Sequence, residues 1–111
     1  MGGCRKAVAV QLFLTLIFSI VVLVAGNRVV QGKVIDAKGK PVVGAAVYVK
    51  DMRKLTVRSF VSTPDGGFRF GSLSADTDYE VWADLKGHKS ETKTTSSFDT
   101  KKVFDFTLVL Q

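Results

Sequence analysis

Cysteine, histidine and proline are scarce in this chain, with one Cys, one His and two Pro in 111 residues. The lone Cys4 excludes a disulfide scaffold, so the folded part must be held together by its apolar core. The lone His88 leaves too few ligands for a catalytic zinc centre, which takes about three protein ligands. It also argues against a hydrolytic triad, because His88 stands in a Lys-Gly-His-Lys turn and no serine carries nucleophile-elbow glycines. Catalytic residues, metal and cofactor are therefore not expected. Charge is absent from Ala7 to Ala25, a run of 19 residues interrupted only by Gln11, Thr15 and Ser19.

What is present divides the chain in two. Eighteen of the first 26 residues are apolar, against 33 of the remaining 85, and only the second fraction is ordinary for a globular domain. Arg5 and Lys6 precede the uncharged run, Leu12 to Ala25 forms its apolar centre, and Ala25-Gly26 supplies the small residues of a cleavage point. Residues 1–26 thus read as a signal peptide cleaved after Ala25 or Gly26. The other reading is an uncleaved anchor helix, since 19 residues of helix extend about 28 Å against a hydrocarbon core of about 30 Å.

In both cases the basic residues stay on the cytoplasmic side and residues 27–111 are expected outside it. They would be secreted or periplasmic if the signal is cleaved, and membrane-anchored if not. Membrane contact is expected only through residues 7–25, if they are retained. Without Arg5 and Lys6 the net charge falls from +6 to +4, a mild excess. Export and the lack of an aromatic-basic constellation argue against nucleic acid.

Past Asn27 the hydrophobic period becomes two, in short runs separated by turn clusters, which predicts an all-β sandwich of seven strands. Val29–Ile35 ends at Asp36-Ala-Lys-Gly39-Lys-Pro41, a turn signal. Ala45, Val47 and Val49 alternate with Ala46, Tyr48 and Lys50, and the first set is assigned to the core. In the third strand Leu55, Val57, Ser59 and Val61 take the core side, against Thr56, Arg58, Phe60 and Ser62. The turn Thr63-Pro-Asp-Gly-Gly67 leads to a short fourth strand around Phe68 and Phe70. Tyr79 to Lys86 forms the fifth strand, and Lys86-Gly87-His88 the turn after it. Glu91–Ser96 is Thr-rich and charged, as suits an exposed edge. Phe104, Phe106, Leu108 and Leu110 give the closing strand.

The order of these pieces resembles the carboxypeptidase regulatory-like domains, with their transthyretin-like or prealbumin-like Greek-key sandwich. The resemblance rests on Gly32-x-Val34-x-Asp36-x-x-Gly39-x-Pro41-Val42-x-Gly44-Ala45-x-Val47 and Thr63-x-Asp65-Gly66-x-Phe68-x-Phe70-x-x-Leu73. It continues through Tyr79-x-Val81-x-Ala83, Gly87-His88 and Phe104-x-Phe106-x-Leu108, covering about Val29 to Leu110. It implies an accessory or binding module, in which these residues are architectural. Gly44, for example, is expected to permit a close approach of the chain to a neighbour.

Two groups of side chains are candidates for function. Asp65, Asp76, Asp78 and Glu80 have carboxylates suited to Ca²⁺, but they lack the spacing of a known calcium loop and read more simply as turn caps. Trp82, Tyr48 and Phe60 fall opposite the assigned core sets, so they are expected to share an outer face where aromatic rings stack on sugars. The expected function is a non-catalytic accessory, binding or structural module of the cell envelope or secreted space, with a protein or glycan partner. The alternative is a carbohydrate-binding module that uses the aromatic face.

Overall fold

The computed structural model describes residues 27–111; the expected signal or anchor helix lies outside the described residues. In chain order the strands are β1 (Asn27–Ile35), β2 (Ala46–Asp51), β3 (Thr56–Val61), β4 (Gly67–Ser74), β5 (Tyr79–Leu85), β6 (His88–Lys89), β7 (Lys93–Thr95) and β8 (Val103–Val109). Among the described residues no helix is long and apolar enough to cross a membrane. One sheet has the order β4-β1-β8, with β1 and β8 parallel. The other runs β3-β2-β5-β6, with β7 also paired to β5.

The alternation read from sequence places the core correctly on most strands. Val30 and Val34 of β1, Val47 and Val49 of β2, Val81 and Ala83 of β5, and Leu108 of β8 are buried between the sheets. Each fully buried Val or Leu side chain contributes about 1.5–3 kcal/mol of apolar burial. The parallel β1–β8 pair comes close because Gly32 has no side chain: a Cβ there would lie 1.7 Å from the carbonyl oxygen of Phe106. Gly44, expected to permit a close approach, has nothing within 4 Å and instead adopts a φ of 79°.

Three features correct the sequence reading. The sandwich has eight strands rather than seven, the addition being β6. Lys86 and Gly87 both take positive φ, 52° and 84°, the geometry of a two-residue hairpin turn whose twist matches its strands, so His88 pairs with Leu85. The ladder then breaks, the Ser90 hydroxyl accepting the Ala83 amide at 2.9 Å, before β7 resumes on the same side of β5.

The second correction concerns β4, which continues to Ser74 because a bulge absorbs an extra residue. The register shifts between Arg28↔Leu73 and Val30↔Phe70, with Ser72 at a φ of 58°.

The third correction is β3, whose faces are exchanged. The Ser62 hydroxyl accepts the Ala45 amide at 2.9 Å and donates to the Val42 carbonyl at 2.8 Å. With Ser62 held inward, Phe60, two residues earlier, points the same way and packs against the core. Val57 and Val61 are left 51% and 66% exposed on the outer face of an edge strand.

The sandwich therefore has a proximal end, where β1 begins, and a distal end. The proximal end gathers the β2–β3 turn (52–55), the β4–β5 turn (75–78) and the β7–β8 loop (96–102). Asp78 joins them, its carbonyl accepting the Met52 amide at 3.0 Å and its carboxylate the Ser97 amide at 2.6 Å.

Candidate functional site

The outer face of the five-stranded sheet carries two of the three aromatic residues singled out from the sequence. Tyr48 on β2 is the register partner of Trp82 on β5, and both are half-buried. Their ring centroids lie 5.5 Å apart at 27°, close to the interstrand spacing of about 4.8 Å, so the rings stand off the sheet and face one another. On the far side of Trp82, toward β6, the Lys89 ammonium sits 5.4 Å from the ring centroid. Trp82 is thus flanked on both faces. Tyr48 has small Ser59 as its neighbour on β3, which leaves its second face the freer one.

Phe60 does not belong to this face. It points inward and meets Phe70 edge-on at 6.1 Å. The expected trio is therefore a pair plus Lys89 of β6. No periodic signal identifies Lys89, whose position depends on the tight Lys86-Gly87 turn.

At the proximal end a cleft of about 360 Å³ opens between β3 and β4, with Val49, Leu73 and Tyr79 at its base and Arg53, Lys54 and Arg58 among its rim. Arg53 pairs with Asp76 at 3.3 Å. Arg58 donates to the Gly71 carbonyl at 3.1 Å and lies 5.8 Å from the Phe70 ring centroid. The cleft also holds hydroxyl and carboxyl groups, and in it the Ser74 and Thr77 hydroxyls donate to the Asp76 carboxylate.

Of the remaining candidates, Asp65, Asp76 and Asp78 serve the loops, whereas Glu80 stands on β5 as the register partner of Lys50. Hydrogen bonds from the Ser74 and then the Thr77 hydroxyl, with Arg53 adding attraction, hold the Asp76 carboxyl below its ordinary pKa. The Thr63 hydroxyl and the Gly67 amide do the same for Asp65, as does the Lys40 amide above all for Asp36. These acids are ionised turn caps spread over both ends of the sandwich. Among the described residues no three His, Cys, Asp or Glu side chains come together around a metal position. His88 donates from Nδ1 to the Gln111 carbonyl at 2.8 Å, a contact that pins the C-terminus.

Three exposed apolar tips crowd the proximal end: Met52, Leu55 and Phe98, the last two 66% and 93% exposed. Phe98 was readable as an outlier, a lone aromatic in the polar run Ser96-Ser97-Phe98-Asp99-Thr100-Lys101-Lys102 with no alternation to place it in a strand.

An antiparallel sheet packed on a three-stranded sheet that contains the parallel β1–β8 pair defines a transthyretin-like sandwich module. The chain belongs to the carboxypeptidase regulatory-like domain family, whose model matches residues 29–110. No curated protein matches it in sequence.

Among solved structures, the major pilin subunit BcpA of Bacillus cereus is similar with a TM-score of 0.58 and 14% identity, over 77% of this chain and 30% of that one. Catechol 1,2-dioxygenase from Acinetobacter sp. ADP1 gives 0.56 and 15%, over 77% and 52%. The Bacillus anthracis TIE protein gives 0.52 and 13%, over 77% and 17%. This chain spans about half the length of the dioxygenase chain and under a third of the pilin. At such identities the likeness is one of fold.

Proposed function

We propose that this chain is an exported, non-catalytic module of the cell envelope or secreted space, which binds or positions a partner and performs no chemistry of its own. The observation that carries the reading is the uncharged run Ala7–Ala25 behind Arg5 and Lys6, which ends two residues before β1 begins. A sandwich in which Asp36, Asp51, Asp65, Asp76 and Asp78 cap turns and His88 bonds the Gln111 carbonyl fits an accessory role. So does a fold shared with a pilin subunit. Fractionation of producing cells with N-terminal sequencing tests export: a mature start at Gly26 or Asn27 outside the cytoplasm supports cleavage, and intact Met1 in the membrane supports an anchor. Recovery of the folded chain from the cytoplasm alone sinks the proposal.

The carbohydrate-binding alternative now has a sharper form. With Trp82 flanked by Tyr48 and Lys89, a sugar ring has better access to the free face of Tyr48, above Ser59. In a glycan-binding screen, Tyr48→Ala is expected to remove binding while Trp82→Ala weakens it by loosening the stack. Binding unchanged in a folded Tyr48→Ala protein ends the sugar reading.

A further inference from the structure

We propose that the proximal end of the sandwich is a bilayer-docking surface, whose apolar tips Met52, Leu55 and Phe98 enter the lipid interface beneath the domain. The proposal rests on the export reading above and concerns the chain that keeps its N-terminal segment.

The first argument is connectivity. β1 starts at Asn27, two residues after the uncharged run ends at Ala25. Whenever that run lies in a bilayer, the end of the sandwich holding Asn27 is within two residues of the hydrocarbon edge. The loops at this end are fastened to that point. Arg28, itself buried, donates to the Ser96 carbonyl at 2.7 Å and to the Asp99 carbonyl, and the Val29 amide donates to Lys102 at 2.8 Å. Phe98 is thus carried on a loop tied to Arg28 and Val29, the second and third residues of β1.

The second argument is exposure. Met52, Leu55 and Phe98 are all exposed, although core positions in the same domain are filled efficiently by smaller valines. An interfacial surface uses such side chains: an aromatic at headgroup level and aliphatics just below it. Asp78 bonds to both Met52 and Ser97, so the two apolar loops are neighbours and form one surface. Lys54 adjoins Leu55 in sequence and Lys101 and Lys102 close the Phe98 loop, at an end that also carries Asp76, Asp78 and Asp99; the lysines are the groups that favour anionic headgroups.

The third argument is strain. Leu55 holds a φ of 58° as the last residue of the β2–β3 turn, which its amide closes on the Asp51 carbonyl at 2.8 Å. The turn needs that backbone but not a leucine: a bulky side chain rarely adopts this conformation, which glycine takes without strain.

The test uses the full-length chain with Trp82→Phe, reconstituted into vesicles of phosphatidylglycerol with brominated acyl chains. One version carries Phe98→Trp and another Val43→Trp, an exposed position at the distal end. Docking predicts a blue-shifted emission and several-fold stronger quenching for Phe98→Trp than for Val43→Trp. Adding Met52→Ser and Leu55→Ser should reduce the quenching at Phe98→Trp, and phosphatidylcholine vesicles should reduce it less.

Retention of the chain on vesicles after an alkaline wash reports the N-terminal segment and is scored separately. Retained chains with equal quenching at both positions, or none at Phe98→Trp, overturn docking even if the anchor inserts. Protection of Phe98→Trp only when a protein partner is present assigns the tips to that partner and also overturns it.

Discussion

The two ends of the sandwich are built from the same kinds of turn and use them differently. At the distal end polar groups close the turns on the framework. Asp36 accepts the Lys38 and Lys40 amides, each at 2.9 Å, Gly66 accepts the Val34 amide at 2.8 Å, and Ser62 bridges two neighbouring segments. Val43 is the large apolar side chain that its connecting turns leave exposed. At the proximal end Asp51, Asp76 and Asp78 cap the turns equally well, yet Met52, Leu55 and Phe98 still point outward. Turn closure therefore does not explain those three side chains. The fold needs the proximal loops for their backbone and leaves their tips free for another surface.

The largest expected effect breaks the distal side of this comparison. Gly66 has a φ of 82°, and a Cβ there would lie 2.6 Å from the Val34 carbonyl oxygen, a backbone atom. Gly66→Ala adds left-handed strain to a steric overlap and should cost about 3–5 kcal/mol. Chemical denaturation measures it, and an unchanged midpoint would show that this turn is not clamped to β1.

Next is the clamp at the opposite end. Arg28→Ala removes hydrogen bonds to the Ser96 and Asp99 carbonyls and a guanidinium 5.6 Å from the Phe104 ring centroid. Charged hydrogen bonds contribute about 1.5–3 kcal/mol, and a loss near the middle of that range is expected. Hydrogen exchange should speed up at Ser97–Lys101 with the distal amides unchanged. A uniform increase across the domain would mean that Arg28 holds the whole core rather than one loop.

The framework was more legible in the sequence than the ends. β8 and β5 face a covered interior, so alternation names their buried sides directly. β3 alternates too, with apolar residues on both of its faces, and hydrophobicity alone cannot rank Leu55, Val57 and Val61 against Phe60. The decision comes from the inward hydroxyl of Ser62 and the edge position of the strand, a polar and a tertiary constraint that periodicity does not encode. Trp82 and Tyr48 were placed on their true face because β2 and β5 are central strands with a clear apolar side. Phe60 was misplaced with the rest of β3. β6 is not legible because Lys86 adopts positive φ beside Gly87, and lysine does not advertise that geometry. Phe98 was visible as an outlier, but only the contacts of Arg28 show which end of the sandwich carries it.

The smallest expected effect separates stability from docking at one residue. Left-handed backbone costs a non-glycine residue about 1–2 kcal/mol, and replacing it with glycine returns part of that through unfolded-state entropy, about 0.5–1 kcal/mol. Leu55 is two-thirds exposed, so its side chain contributes little burial to the isolated domain. Leu55→Gly should therefore raise stability by roughly 0.5–1 kcal/mol while weakening the lipid quenching of Phe98→Trp. A residue kept for the core would show the reverse, with lower stability and undiminished quenching. Opposite signs in the two measurements would mean that the proximal end retains a strained leucine for what it touches outside the fold.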